Sequence, residues 1–359
     1  PQSNKDVKGL MNSLFRKKAR PSSPATTRPL FLCSVVAAAL TLSITPDSAS
    51  ACACGCGVFD VGASTMFANT SDTGFSIWLR YDLMDQNKNW EGTSSAPASD
   101  NGDKEIRTSF YTIGGQYMFS RNWGVMAELP TFHRSLETTD DGTVAGPAGS
   151  IYTGHLTDMG DLEVMGIYTG ISPDMSTGLL FGLKLPTGNY TGPTGPLGGS
   201  EFDRDSLPGT GSTDLLLGAY HVGGLTSDNR LAYFAQALYK NAMLVRNQYR
   251  PGNEIDAAAG LTYDFGAAGV LTRDAPLIQL LVSQRNHDTG VNADPLNSGY
   301  TRLLVSPGID LRFNKIKLYA DIELPVYQRT NAASSVAIEG TSGQLVASKI
   351  FKLQIGYEF

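Results

Sequence analysis

From residue 74 onward, much of the chain alternates between apolar and polar residues with a period of two. The last nine residues put Phe351, Leu353, Ile355, Tyr357 and Phe359 on one side and Lys352, Gln354, Gly356 and Glu358 on the other. Ile316 to Leu324 repeats the pattern, with Ile316, Leu318, Ala320, Ile322 and Leu324 opposite Lys317, Tyr319, Asp321 and Glu323. Phe75 to Leu83 does the same against Ser76, Trp78, Arg80 and Asp82. Successive side chains of a strand point to opposite faces, and a slip of one residue exchanges the faces. The pattern therefore predicts half-buried strands in a firmly specified register. Twelve such segments begin near residues 74, 105, 122, 159, 177, 210, 230, 253, 276, 300, 315 and 344.

The connections alternate in length. Short ones fall at Ser120-Arg121, 172–176, 223–229, 266–274 and Asn314; long polar ones cover about 85–104, 136–158, 188–209, 244–252, 287–299 and 330–343. Five short turns alternating with six long loops predict an all-β protein, an antiparallel up-and-down transmembrane β-barrel of about 12 strands over residues 74–359, with both ends on the periplasmic side. The even-numbered segments close on aromatics: Tyr117 and Phe119, Tyr168, Tyr220, Tyr263 and Phe265, Phe313, then Tyr357 and Phe359. Rings at strand ends suit a membrane interface, where one edge is apolar and the other wet, so they are expected to form the periplasmic girdle. A soluble β-sandwich would alternate as well. The aromatic last strand, the turn asymmetry and the leader described next favour the barrel.

Residues 1–51 are expected to be an export signal with a short stretch upstream of Met11. Arg16, Lys17, Lys18 and Arg20 form a basic region, Leu30 to Ile44 is apolar, and Ala49-Ser50-Ala51 supplies a cleavage pattern that makes Cys52 the first mature residue. The apolar run is short for a membrane-spanning helix, and no comparable run follows it. Charged residues are only 17% of the chain against about 25% in ordinary soluble domains. Setting the leader aside leaves 21 basic and 32 acidic residues, a net of −11, which is no footprint for nucleic acid. Localisation in the outer membrane of a Gram-negative bacterium follows, with membrane lipid as a partner and the barrel-assembly machinery expected to read the last strand through Phe359.

Cys52, Cys54 and Cys56 open the mature chain, and residues 52–73 are expected to be a periplasmic arm or a small plug. An odd number of thiols in an oxidising compartment points to a disulfide or a cross-link to a partner, a soft metal such as Cu(I) or Zn, or a lipid on Cys52, although Ala49 stands where a lipid signal has Leu. No other cofactor is expected.

Charges on the polar face would line the lumen. The leading candidates are Arg80, Asp82, Arg107, Glu128, Lys184, Arg302, Lys317, Asp321 and Glu323, with Lys240, Asp256, Asp310, Arg312, Lys352 and Glu358 as further ones. Such charges either pair across strands or bias passage along a watery path. Catalysis is not expected: His133, His155, His221 and His287 lack a Gly-x-Ser-x-Gly elbow or metal-type spacing, with His155 and His287 assigned to loops. Asp85 to Gly92 has oxygens at alternate positions but Trp90 where a calcium loop needs Gly, so it is expected to be a polar surface loop.

Three motifs run in order: Gly160-Asp161-Leu162, then Gly182-Leu-Lys184-Leu-Pro186-Thr187-Gly188, then Gly209-Thr210-Gly211-Ser212-Thr213-Asp214-Leu215. Together they resemble the meta-pathway phenol-degradation family of outer-membrane transporter-like β-barrels. The resemblance implies a barrel associated with uptake of aromatic compounds and spans about 60 residues. The residues themselves admit a plainer role: Pro ends strands, Thr-Gly opens loops, and Asp161 and Asp214 start strands and bond turn amides. The expected function is passive or facilitated passage of small solutes, aromatic or hydrophobic compounds among them. The alternative is a scaffold barrel whose Cys-rich arm docks a periplasmic or redox partner.

Overall fold

The computed structural model describes residues 62, 73–139, 147, 149–191, 202, 204–295, 298–331 and 343–359. Its strands are β1 (Gly74–Glu91), β2 (Ser94–Ser95), β3 (Asp103–Ser120), β4 (Trp123–Thr139), β5 (Ile151–Met159), β6 (Leu162–Tyr168), β7 (Thr177–Leu185), β8 (Thr213–Gly224), β9 (Leu231–Leu244), β10 (Glu254–Tyr263), β11 (Arg273–Arg285), β12 (Tyr300–Phe313), β13 (Ile316–Thr330) and β14 (Gln344–Glu358). Neighbouring strands are antiparallel, and β14 pairs back onto β1 to close the sheet. β5 and β6 both pair with β4, so they are two halves of one stave broken at Gly160-Asp161. β2 only hooks onto the end of β1. The result is a closed barrel of twelve staves with two extra strand pieces.

Several strands run past the expected limits. β1 continues through Asp85 to Glu91, so the stretch read as a loop is strand, with Gln86 and Asn89 buried on its inner side. β4 reaches Thr139 and β5 occupies 151–159, which places His155 on a strand rather than in a loop. β1 and β3 each have 18 residues, whereas about 9–11 suffice to cross a bilayer. The strands therefore stand proud on the rim that carries the long loops.

Alternation sets the two faces. Phe75, Ile77, Leu79, Ile113, Leu353 and Ile355, from three adjacent strands, are all exposed. A soluble sandwich would bury such a surface, since contiguous exposed apolar patches beyond a few hundred Å2 mark a contact with protein or lipid. At the short-turn rim Tyr117, Phe119, Trp123, Tyr263, Phe265, Tyr357 and Phe359 are exposed. Trp123 stacks on Tyr168 at 4.7 Å. Tyr220 departs from the expected girdle: β8 directs its even positions inward, so Tyr220 lines a cavity inside the barrel. At the seam the Phe359 amide donates to the Phe75 carbonyl at 3.0 Å, and the two rings lie 5.4 Å apart.

The leader 1–51 and Cys52, Cys54 and Cys56 lie outside the described residues. Gly62 is described, and it lies inside the barrel, its amide donating to Gln236 Oε1 at 3.1 Å.

Candidate functional site

The inward face of the barrel carries two charge networks. The first is built on β1, β4, β13 and β14. Arg80 Nε meets Asp82 Oδ2 at 3.1 Å, and its NH1 lies 3.5 Å from Glu128 Oε1. Trp78 also donates its indole N–H to Glu128 at 3.1 Å. Lys352 sits in register between Asp82 of β1 and Asp321 of β13. Its Nζ is 3.1 Å from Glu323 and 3.9 Å from Asp82. Asp321 accepts hydrogen bonds from Tyr319 (2.6 Å), Ser306 (2.7 Å) and Gln279 (2.9 Å). Every one of these charged side chains is buried, and each has a partner of opposite charge or several donors. Five of the sequence candidates thus meet around Lys352: Arg80, Asp82, Glu128, Asp321 and Glu323.

The second network gathers the three sequence motifs. Lys184 of β7 reaches Asp214 at 2.7 Å and Asp161 at 3.5 Å, and donates to Thr210 Oγ1 at 2.8 Å. Asp161 lies at the break between β5 and β6, and its carboxylate accepts the Gly188 amide at 3.0 Å and the Thr210 amide at 2.8 Å. Gly188 and Gly209 are in backbone contact: a Cβ on Gly209 would lie 2.4 Å from the Gly188 carbonyl carbon. Only glycine allows that approach. The motifs therefore stitch the loop between β7 and β8 to the strand break; Asp161 accepts loop amides as the sequence suggested, whereas Asp214 accepts the Ser212 hydroxyl at 2.5 Å and pairs with Lys184. Next along the wall, Lys240 lies 3.6 Å from Glu163 and 4.0 Å from Glu254.

The remaining candidates fall elsewhere. Arg302 is on the inner side of β12, its guanidinium 4.2 Å from the Tyr300 ring. Lys317 is buried near the short-turn rim and pairs with Glu358. Arg107 corrects the sequence expectation. Ile106 and Thr108 are buried beside it, so Arg107 points outward and is exposed. It stands opposite Asp85 near the long-loop end of β3, where an outward charge is hydrated and does not need the lumen.

Two of the cavities inside the barrel border these networks and the staves below them. One, of about 180 Å3 toward the long loops, is lined by Arg80, Glu128, Glu163, Lys184, Asp214 and Lys240 from the networks and by loop residues such as Arg204 and Pro208. The other, of about 450 Å3 toward the short turns, is lined by Tyr220, Tyr233, Phe234, Asp264 and Arg273 among others. No residue lines both. On six of the staves between them, Met126, Met165, Leu216, Leu238, Ala258 and Leu281 are buried in one apolar cluster, a partial collar with Gln236 and Gln279 facing inward among them. Gly62 lies against Gln279 and Leu281 at that level.

Arg134, Arg204 and Arg285 at the upper cavity were not legible in the sequence. Arg204 is on a loop, where no periodicity assigns a direction. Arg285 is the last residue of β11, and Arg134 lies in the upper part of β4 toward the long loops. Two of the histidines contact hydroxyls: His133 meets Thr157 at 2.7 Å, and His221 meets Thr177 at 2.8 Å and Tyr233 at 2.9 Å.

No known family model and no curated protein matches the chain. Solved structures do. An outer-membrane channel from Pseudomonas putida F1 superposes with a TM-score of 0.59 at 10% identity, over 84% of this chain and 100% of that one. The β domain of the Bordetella autotransporter BrkA gives a TM-score of 0.46 at 14% identity, over 80% of this chain and 100% of that one. The toluene transporter TodX of P. putida gives 0.41 at 12% identity, over 82% of this chain and 92% of that one. At these identities the likeness concerns the fold, which is that of an outer-membrane β-barrel.

Proposed function

We propose that this chain is an outer-membrane channel through which small solutes pass passively or by facilitated diffusion, aromatic and other apolar compounds above all. The observation that carries the reading is the vertical order inside the closed barrel: a charged, polar upper cavity, an apolar collar, and a second polar-rimmed cavity below. A collar of Met, Leu and Ala opposes hydrated ions by dewetting, while a solute with apolar surface gains contacts there. Methionine side chains, flexible and polarizable, adapt to cargo of varied shape. In this reading the exposed apolar band faces lipid, the short turns face the periplasm, and β14, ending in Phe359, is the strand that the assembly machinery reads. The ordered motifs support kinship with the meta-pathway phenol-degradation barrels, and the reading is transport rather than catalysis.

The rival, a scaffold whose Cys-rich arm docks a periplasmic or redox partner through a disulfide or a soft metal at Cys52, Cys54 and Cys56, has less support. Gly62 itself lies within the barrel, where a free periplasmic arm would not place it. Liposome swelling separates the two. Under the channel reading, vesicles carrying the purified protein swell faster in aromatic alcohols and acids than in sugars of similar size. If no solute of the panel enters, even with residues 52–73 removed, the scaffold reading replaces it.

A further inference from the structure

The upper cavity holds a cation whose surroundings differ from those of every ion pair described above. Arg204 sits on the loop between β7 and β8, half-buried, at the cavity wall. Its guanidinium lies 4.2 Å from the Tyr249 ring centre and 5.5 Å from that of Tyr190. A guanidinium has five N–H donors. Two are used, NH1 toward the Gly209 carbonyl at 3.1 Å and NH2 toward the Thr210 carbonyl at 2.5 Å, and the Nε–H is buried without a hydrogen-bond partner. Both acceptors are neutral. Lys184, Lys240 and Arg285, which line the same cavity, each have a carboxylate within ion-pair distance. Among the described residues Arg204 directly touches only ring faces and carbonyls; Asp161, Asp205 and Asp288 act on it from beyond ion-pair distance, and burial outweighs them to pull its pKa below the usual arginine value. A desolvated cation of this kind is stabilised most by an anion that brings its own charge.

The rest of the wall states what the anion is attached to. Phe110 and Phe132 meet edge to face with centroids 4.8 Å apart, and Pro130, Leu207 and Pro208 complete an apolar side. An apolar cavity of about 150 Å3 accommodates benzene, and this one measures about 180 Å3. We propose that the upper cavity is a binding site for small carboxylates with a flat apolar body, the carboxylate held by Arg204 and the body against Phe110, Phe132 and Leu207. The proposal deepens the channel reading and rests on it, because a vestibule site serves passage only if the barrel conducts. Arg204 is then the group that sorts acids from neutral solutes at the mouth, ahead of the apolar collar.

The test uses the full chain in detergent, with 4-fluorobenzoate and 4-fluorobenzyl alcohol as probes and fluorine NMR as the readout. The expected result is that the acid binds at least ten-fold more tightly than the alcohol. Arg204→Gln removes that preference and leaves alcohol binding unchanged, while Arg204→Lys, which keeps the charge, restores part of it. Three results overturn the proposal. In one, the acid binds no more tightly than the alcohol, or neither binds. In the second, Arg204→Gln leaves the preference intact. In the third, that variant weakens both probes equally, which would make Arg204 a support for its loop. Swelling of vesicles by the neutral alcohol, in the absence of acid preference, would retire this site and keep the channel; absence of swelling by any solute would retire the channel itself.

Discussion

Lys352 shows what a single residue contributes to this barrel. It is almost fully buried, with Glu323 and Asp82 as partners, and all three would be costly alone in a low-dielectric wall. Lys352→Met should cost about 3–5 kcal/mol, the usual penalty for stranding buried partners of a removed charge. Adding Glu323→Leu should recover much of it, because Asp82 still has Arg80 and Asp321 still has its three neutral donors. Equilibrium urea unfolding in lipid vesicles, followed by tryptophan fluorescence, checks both. A neutral outcome for the single variant would mean that water, not Lys352, solvates these carboxylates. The alternation near residues 75, 316 and 351 gave the facing of most of these charges directly. It misdirected Arg107 because a charge on a strand was assigned to the lumen by chemistry alone. Above the apolar band both faces are wet, and position along the stave decides.

The informative element is the broken stave. β5 and β6 follow one another along β4, with Asp161 at the break receiving amides from the β7–β8 loop. The motif residues that carry the family resemblance thus have a demonstrable structural task at the rim. Gly188→Ala should push the added methyl into Gly160 and Gly209, at 2.7 and 2.9 Å. Overpacking of this sort costs about 1–3 kcal/mol. Limited proteolysis should then cut the 186–212 loop faster, with the barrel below intact; unchanged protection would show that the backbone relaxes without loss. The sequence foretold the lower half of this stave and missed β5. Ile151 to Met159 intersperses His155, Thr157 and Asp158 among its apolar residues, without the clear division of faces seen near the lipid-facing band. Among the described residues β5 pairs with β4 alone.

For the whole molecule the decisive feature is the collar that separates the two cavities. If it limits ion flow, shortening it should open the path. Leu216→Ala with Leu238→Ala is expected to raise single-channel conductance in planar bilayers several-fold over the parent, with the heat-modifiable gel shift confirming a folded barrel. Unchanged conductance would put the constriction elsewhere, with the region around Gly62 the next place to look. Stave count, turn asymmetry and terminal closure were all readable in the chain, since each follows from local pattern. The collar was not, because its six residues come from six staves and meet only once the sheet has curled.

The seam bears on how errors are avoided during assembly. β1 and β14 are the two ends of the sheet, and their meeting is the longest-range event in its formation, the kind of contact that forms late and slowly. A slip by two residues would keep every side chain on its proper face, so the oily and wet surfaces could not detect it. Lys352 could. Shifted one way it would stand opposite Arg80, and shifted the other way opposite Met84, instead of Asp82. Either mistake buries a cation against a like charge or a thioether. An ammonium group thus helps tell closure in the right alignment from its nearest competitors, and works as a built-in proofreader for the final zip.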